Sequence, residues 1–344
     1  MYFCGFGILL TRDIFSFFMS HFWQQLPKPF FCLAPMADVT DVAFRCVIAK
    51  YSRMGEVGGG PHVMWTEFVS ADALAHSVGR DRVLHHFRFS QSEHPIVAQI
   101  FGATPENFRI AASLVRDMGF DGVDINMGCP EKNIQRQGAC AALIQTPSLA
   151  KEIIHATKEG AGDMPVSVKT RIGYNKVDVD SWIPELLSCD IAALTVHGRT
   201  KKEMSKVPAH WDVIGRVVQM AQDFETVVIG NGDVVDIADA RQKAQEYGVS
   251  GVMLGRAIFG NPWLFDENRV DAVSVSERLR VMVEHTKLYE KNFSDVKNFS
   301  LMKKHYVAYV SGFSGARQLR QRLMEATCAE EVSLVVDDFL CSLE

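Results

Sequence analysis

One unit recurs eight times from Phe31 onward, and this repetition constrains the fold more than any other feature of the chain. Each unit is a short β-branched or apolar run, a loop rich in glycine or polar residues, and an amphipathic stretch with helical spacing. The runs predict strands over 31–35, 62–66, 96–100, 122–126, 166–169, 193–196, 227–230 and 251–254. Continuously apolar strands that alternate with helices belong in a parallel sheet covered on both faces. The interval 105–118 shows the helical part: Thr104 can cap it, Pro105 suits its first turn, and Gly119 stops it. Phe108, Ala111, Ala112 and Val115 fall on one face of that helix. Eight such units in about 230 residues match the size of a (β/α)8 TIM barrel. A doubly wound α/β sheet competes, but no predicted strand is followed by GxGxxG.

After Pro262 the strand-like runs stop, and residues 276–343 read as helices broken near 292–295 and 311–315. The expected division is an N-terminal extension (1–30), the barrel (31–265) and a small C-terminal helical domain (266–344). The helical part concentrates positive charge at Lys303, Lys304, His305, Arg317, Arg320 and Arg322. Such a run is by default a solvated helix face. In the extension, apolar runs over 2–10 and 14–23 are split by Arg12 and Asp13, so neither is long enough to span a bilayer. With no basic segment before the first run, a secretory signal fits poorly. Initiation at Met19 is the preferred reading and a membrane-surface anchor the alternative.

Of the 344 residues, 47% are hydrophobic and 22% charged, the profile of a globular enzyme with a sizeable core. A net charge of −5 means that any nucleic-acid contact must come from local basic clusters. Eight cysteines without a framework spacing read as reduced thiols of a cytoplasmic protein. Neither CxxC nor HExxH occurs, so no metal site is expected. The Gly58–Gly60 triplet lacks the GK[ST] of a phosphate loop.

Barrel enzymes carry their chemistry at the C-terminal ends of the strands. There the chain places Ala34-Pro35-Met36-Ala37, Thr66-Glu67, Gln99, Asn126-Met127-Gly128-Cys129-Pro130, Lys169-Thr170-Arg171, His197-Gly198-Arg199-Thr200, Asn231-Gly232-Asp233 and Gly255-Arg256. Singly each has a bland explanation: a satisfied amide, an ion pair, an ordinary turn. Their recurrence at one edge of strand after strand points to a ligand, because burying so many polar groups without one is costly. The last two segments follow strands seven and eight, where barrels bind phosphate, and a phosphate-bearing cofactor is expected there.

Several of these strings resemble the tRNA-dihydrouridine synthases. They are Asn126-Met127-Gly128-Cys129-Pro130 with Gly138-Ala139 and Leu143, Ala34-Pro35-Met36 with Thr40-Asp41 and Phe44-Arg45, Val168-Lys169-Thr170-Arg171 with Gly173, Val196-His197-Gly198-Arg199-Thr200, and Asn231-Gly232-Asp233. The likeness extends from about residue 31 to 265, and more weakly through His305, Tyr309 and residues 317–322. It implies an FMN-bearing barrel with a helical tail, acting on uridine within tRNA. By the same resemblance Pro35, Met36 and Ala37 line the flavin ring, and Gln99, Lys169 and His197 address its polar edge. Asn231, Gly232, Asp233, Gly255 and Arg256 hold its phosphate. Asn126 and Arg171 face the uracil, with Lys132 nearby. The chain departs from the family pattern at 204–211 (MSKVPAHW) and in a longer 55–62 stretch. Both are expected in loops on the substrate side, where they bear on the position modified in tRNA.

The implied reaction takes hydride to uracil C6 from FMN reduced by NADPH (or NADH), and a proton to C5 from Cys129. A thiol with a pKa near roughly 8.5 stays mostly protonated at neutral pH yet yields its proton readily. Cys46, Cys140 and Cys189 are assigned instead as buried hydrophobes. The substrate base must be turned out of its stack to reach such a pocket, and the basic tail is the expected clamp. A monomer without membrane contact is expected. Three rivals remain: a dihydroorotate-dehydrogenase-like flavin enzyme acting on a free pyrimidine, a phosphate-binding barrel without flavin, and a non-catalytic tRNA-binding protein.

Overall fold

The computed structural model describes residues 21–269 and 271–342. The Met19 start and most of the two apolar runs lie outside them. Eight parallel strands form the barrel: β1 Phe30–Leu33, β2 Met64–Trp65, β3 Ile96–Phe101, β4 Gly122–Met127, β5 Val166–Arg171, β6 Ala193–His197, β7 Val227–Asn231 and β8 Gly251–Leu254. They pair in chain order from β2 to β8, and β8 pairs with β1. A parallel bridge between Cys32 and Val63 closes the ring. All eight runs read from the sequence are present, and a two-residue strand Val69–Ser70 adds to β3. The helix Pro105–Asp117 buries the four expected residues, but Thr104 makes no side-chain capping bond. Pro105, which has no N–H to satisfy, starts that helix unaided.

Alternation along each strand divides two cores. Phe31 and Leu33 of β1 face the surrounding helices, whereas Phe30 and Cys32 face the barrel interior. Gly251 of β8 makes room for that interior, since a Cβ there would lie 2.3 Å from the Phe30 ring. Trp23, on the short helix Phe22–Gln25, closes the bottom by packing 5.6 Å from Trp65 between ring centroids. Residues 22–25, grouped from sequence with the extension, therefore belong to the barrel packing. The 55–62 stretch also differs from expectation. It precedes β2 and lies beside Pro29 and Pro95, which precede β1 and β3. In a parallel barrel the loop before a strand sits at the N-terminal end, so this stretch is on the face away from the site.

A third core belongs to the tail, where helices Val275–Phe293, Lys303–Tyr309, Ala316–Glu325 and Ala329–Cys341 pack on Val42, Ala43 and Val47 of the barrel helix Val42–Tyr51. Among the described residues no helix is long and apolar enough to cross a membrane. His305, counted from sequence with the basic cluster, is buried and stacks on Phe44 and His285. Burial and the Lys304 charge pull its pKa down to about 3, and burial with His305 beside it takes His285 well below the ordinary range. Both rings are neutral, so His305 adds nothing to the cationic surface. Lys303 and Lys304 are also engaged, donating to the carbonyls of Met324 and Asp38.

These histidines have folded pKa values below the unfolded one. Their stabilising effect is complete above about pH 6.5 and is lost as pH falls, for His305 toward its folded value near 3. Each should cost about 1.4 kcal/mol of stability per pH unit inside that window. Urea unfolding from about pH 7.5 to about pH 5.5 should show this fall, and it should shrink in the His285→Phe/His305→Phe variant. Equal pH slopes in the two proteins would contradict the assignment.

Candidate active site

The parallel register sets the polar strand ends side by side. Lys169 pairs with Asn126 and with Thr195, Arg171 with His197, and His197 with Asn231. Above them opens a cavity of about 560 Å³ lined by Pro35, Met36, Lys169, His197, Asn231, Gly232, Asp233, Gly255 and Arg256, together with Arg199 and Ser205. Ala37 follows this lining without being part of it. The resemblance motif around it shapes the loop: the Thr40 hydroxyl accepts from Met36 N–H at 2.9 Å, and Asp41 caps the next helix at Phe44 N–H, 3.0 Å. Arg45 ties that helix down through Glu93, in a wholly buried pair at 2.5 Å.

Positive charge dominates the cavity. Burial and the neighbouring Arg171 lower Lys169 to about 8, and its ammonium donates to Asn231 Oδ1 at 3.3 Å. His197 is held far below its ordinary pKa by burial and by Lys169, Arg171, Arg199 and Arg256 around it. Arg199 lies 3.2 Å from His197 Nε2, and a guanidinium only donates, so Nε2 accepts and Nδ1 carries the proton. Asp233 was expected among the phosphate contacts. Instead its carboxylate accepts from Arg199, from Ala209 N–H at 2.9 Å and from Arg256 at 3.0 Å. Burial pushes this carboxyl up, but the Arg199 bond, the Ala209 N–H and the two guanidinium charges outweigh it and keep it ionised. Its side chain thus fixes two arginines for an incoming anion. Gly232, at φ +131°, turns the chain beside His197, where a Cβ would meet Ala209 at 2.7 Å.

Cys129 stands beside this cavity on the loop after β4, held from below by a chain of buried hydrogen bonds. Ser167 and Gln99 donate to the two oxygens of Asp124 at 2.6 and 2.7 Å. Gln99 Oε1 then accepts from Asn126 at 2.9 Å, and Asn126 Oδ1 accepts from the N–H groups of Gly128 and Cys129, both at 3.0 Å. Gln99 is therefore occupied beneath the site at both ends of its amide, rather than lying along the cavity wall. Asn126 has three of its four hydrogen-bonding positions engaged in placing the loop. Arg171 donates to Gly128 O at 2.6 Å and to Thr200 O and Met204 O, both at 3.2 Å, binding the Cys129 loop to the divergent 204–211 segment. Lys132 is exposed at the start of the one-turn helix Lys132–Gln135.

Cys140, read as a plain buried hydrophobe, lies close enough to the Cys129 thiol to act on it as a hydrogen-bond donor. That contact lowers the Cys129 pKa, burial raises it, and the Glu131 N–H and Arg171 charge lower it again, leaving it at about 7. Asp124, Arg199 and Cys140 were all missed as site residues. Asp124 carried a signal as an acid within the apolar run of β4, and Arg199 as a member of the strand-end string His197-Gly198-Arg199-Thr200.

Alkylation of Cys129 by iodoacetamide should follow its thiolate and rise with a midpoint near pH 7. Transfer of a proton from this thiol should correspondingly weaken as pH climbs through the same value. A midpoint at 8.5 or above, the ordinary range of a free thiol, would show that the Cys140 and Arg171 contacts do not act on it.

A cluster of three cations with one carboxylate, glycine-lined and open to the mouth, suits a phosphate-bearing, electron-rich group. Comparison with known proteins agrees. Residues 32–343 match the family model described as dihydrouridine synthase (Dus). The chain is 40% identical to a probable tRNA-dihydrouridine synthase of Staphylococcus aureus (strain Mu50) over 94% of its own length and 97% of the relative's. It is also 40% identical to the probable tRNA-dihydrouridine synthase 2 of Bacillus subtilis (strain 168), over 93% of its length and 97% of that protein's. Among solved structures, a 2-naphthoyl-CoA reductase complex superposes with a TM-score of 0.53 at 11% identity, covering 69% of this chain and 49% of that one. That last likeness bears on the barrel fold alone, whereas the family match runs through barrel, Cys129 loop and helical tail: the chain belongs to the dihydrouridine synthase family.

Proposed function

We propose that the protein reduces the C5–C6 double bond of uridine in tRNA to 5,6-dihydrouridine, with FMN as its flavin and NADPH (or NADH) as reductant. The observation that carries this reading is the placement of Cys129. Its backbone is pinned by Asn126, its thiol is tuned to about 7, and it stands next to a cationic cavity. Bound FMN would supply the hydride that reaches uracil C6. Pro35, Met36 and Ala37 would border its ring, and Lys169 and His197, the latter through Nδ1–H, its polar edge. Asn231, Gly232, Gly255 and Arg256 would take its phosphate, with Asp233 bracing Arg199 and Arg256 behind them.

Cys129 gives its Sγ proton to C5. A donor with a pKa near the working pH is well matched to this task, being protonated in a large share of molecules and a ready donor. Asn126 and Gln99 act through the loop that carries the thiol, and Arg171 brings a cation to the same place. The base would have to leave its stack to enter, which favours an RNA held at several points. The helical tail beside the mouth supplies Arg317 and Arg322. Both are exposed, Arg322 in an ion pair with Asp338 at 2.7 Å. The rival reading as an enzyme of free pyrimidines is not favoured, because the family match continues through this tail to residue 343.

Stopped-flow absorbance of the flavin-loaded Cys129→Ala variant tests the acid. Reduction by NADPH should be near normal, while reoxidation by tRNA should slow by ~10²–10⁴-fold. Reoxidation at the wild-type rate would reject Cys129 as the acid, and a protein unable to bind added FMN would reject the cofactor.

Replacing Arg317 and Arg322 by Ala should lower tRNA affinity and flatten its dependence on salt, with flavin reduction unchanged. Arg320 is left out of this test because it donates to Val310 O at 2.6 Å within the tail. Unchanged affinity across a salt titration would place the tRNA contact elsewhere.

A further inference from the structure

We propose that Cys129 and Cys140 form a peroxide-sensitive thiol pair, in which a hydroperoxide converts the two thiols to an intramolecular disulfide. Cys129 is partly open to solvent, whereas Cys140 is buried, and the two sulfurs are close enough for each to shift the titration of the other. Ala141 N–H bonds to Cys129 O at 3.4 Å, and Gln135 Nε2 to the same oxygen at 3.2 Å, so the two segments are tied together at this point. Cys140 also adopts φ +54°, a left-handed conformation that a residue with a Cβ seldom takes. The other buried cysteines have different surroundings: Cys32 lies inside the barrel, and Cys189 donates to the Glu185 carbonyl.

The chemistry needs one exposed nucleophilic sulfur and one resolving sulfur. The Cys129 thiolate attacks one oxygen of hydrogen peroxide, the O–O bond breaks, and hydroxide leaves, forming a sulfenic acid. The Cys140 sulfur then attacks the sulfur of that sulfenic acid and loses its own proton. The S–O bond breaks, and water departs as the disulfide forms. In total two thiols lose two electrons and two protons, and one peroxide becomes two waters. The disulfide leaves Cys129 with no proton to give, which is where the proposal rests on the reading of Cys129 as the acid. Formation of the bond itself does not depend on that reading.

The flavin-loaded protein, treated with hydrogen peroxide, alkylated and examined by mass spectrometry, should lose about 2 Da relative to the untreated protein before alkylation, the two hydrogens of a disulfide. Digestion should yield a peptide linking Cys129 to Cys140. Dithiothreitol should restore both free thiols and tRNA-dependent activity. In Cys140→Ser, prolonged peroxide should instead add two oxygens to Cys129, a sulfinic acid that dithiothreitol does not reverse. Oxygen addition at Cys129 in the wild type, with no linked peptide, overturns the proposal whether or not the variant folds. A linked peptide with undiminished activity on tRNA would uphold the pair and refute Cys129 as the acid.

Discussion

Everything at the mouth of this barrel depends on one buried carboxylate, Asp124. An ionised oxygen pair can only accept hydrogen bonds, so Ser167 and Gln99 must both point donors at it. That choice turns the Gln99 carbonyl toward Asn126, which in turn must present its own oxygen upward to the N–H groups of Gly128 and Cys129. Direction is thus passed across three strands without a free rotor. Burial raises the Asp124 carboxyl to about 6, while Ser167, Gln99 and the Lys169 charge work against that rise. The Cys129 loop inherits its position from this chain of buried side chains.

Charge is arranged around that frame on the opposite principle. Lys169, Arg199 and Arg256 converge on one cavity, and the one carboxylate among its lining residues, Asp233, is bound to two of them. An anion entering here meets oriented donors whose mutual repulsion it relieves, which is a source of binding free energy that a neutralised site lacks. The same repulsion with burial keeps His197 neutral, leaving it as a hydrogen-bond donor through Nδ1. The helical tail is joined to the mouth by a second buried charge. Glu67 accepts from Asp38 N–H at 2.5 Å, from His86 and from Lys297 of the tail at 3.1 Å. The loop beside Met36 and the tail therefore share one carboxylate.

How far the sequence carries the argument can be read from particular residues. The eight strands, the alternation that buries Phe108, Ala111, Ala112 and Val115, and the cavity residues from Pro35 to Arg256 were legible. Each follows from local periodicity or from position at a strand end, and both are properties of short segments. The roles of Gln99, Asn126 and Asp233 were not, because the partner that occupies each polar group lies on another strand. His305 looked like surface charge in its helix, and only its packing on Phe44 shows it to be neutral core. The 55–62 stretch was assigned to the wrong end of the barrel, although strand order alone puts the loop before β2 at the N-terminal face.

By itself the sequence determined the (β/α)8 scaffold, the helical tail, the family strings and the thiol at Cys129. Residue spacing is enough for these, since helix and strand periods and a strand's C-terminal end are counted along one chain. Tertiary structure alone decided which polar groups remain available to a ligand. It brought Cys140 against Cys129 across a loop, set Asp233 between two arginines, and directed Asn126 at the backbone. Hydrogen-bond direction and charge pairing depend on distances of about 3 Å between atoms far apart in sequence, and residue order does not encode those distances until the sheet has closed.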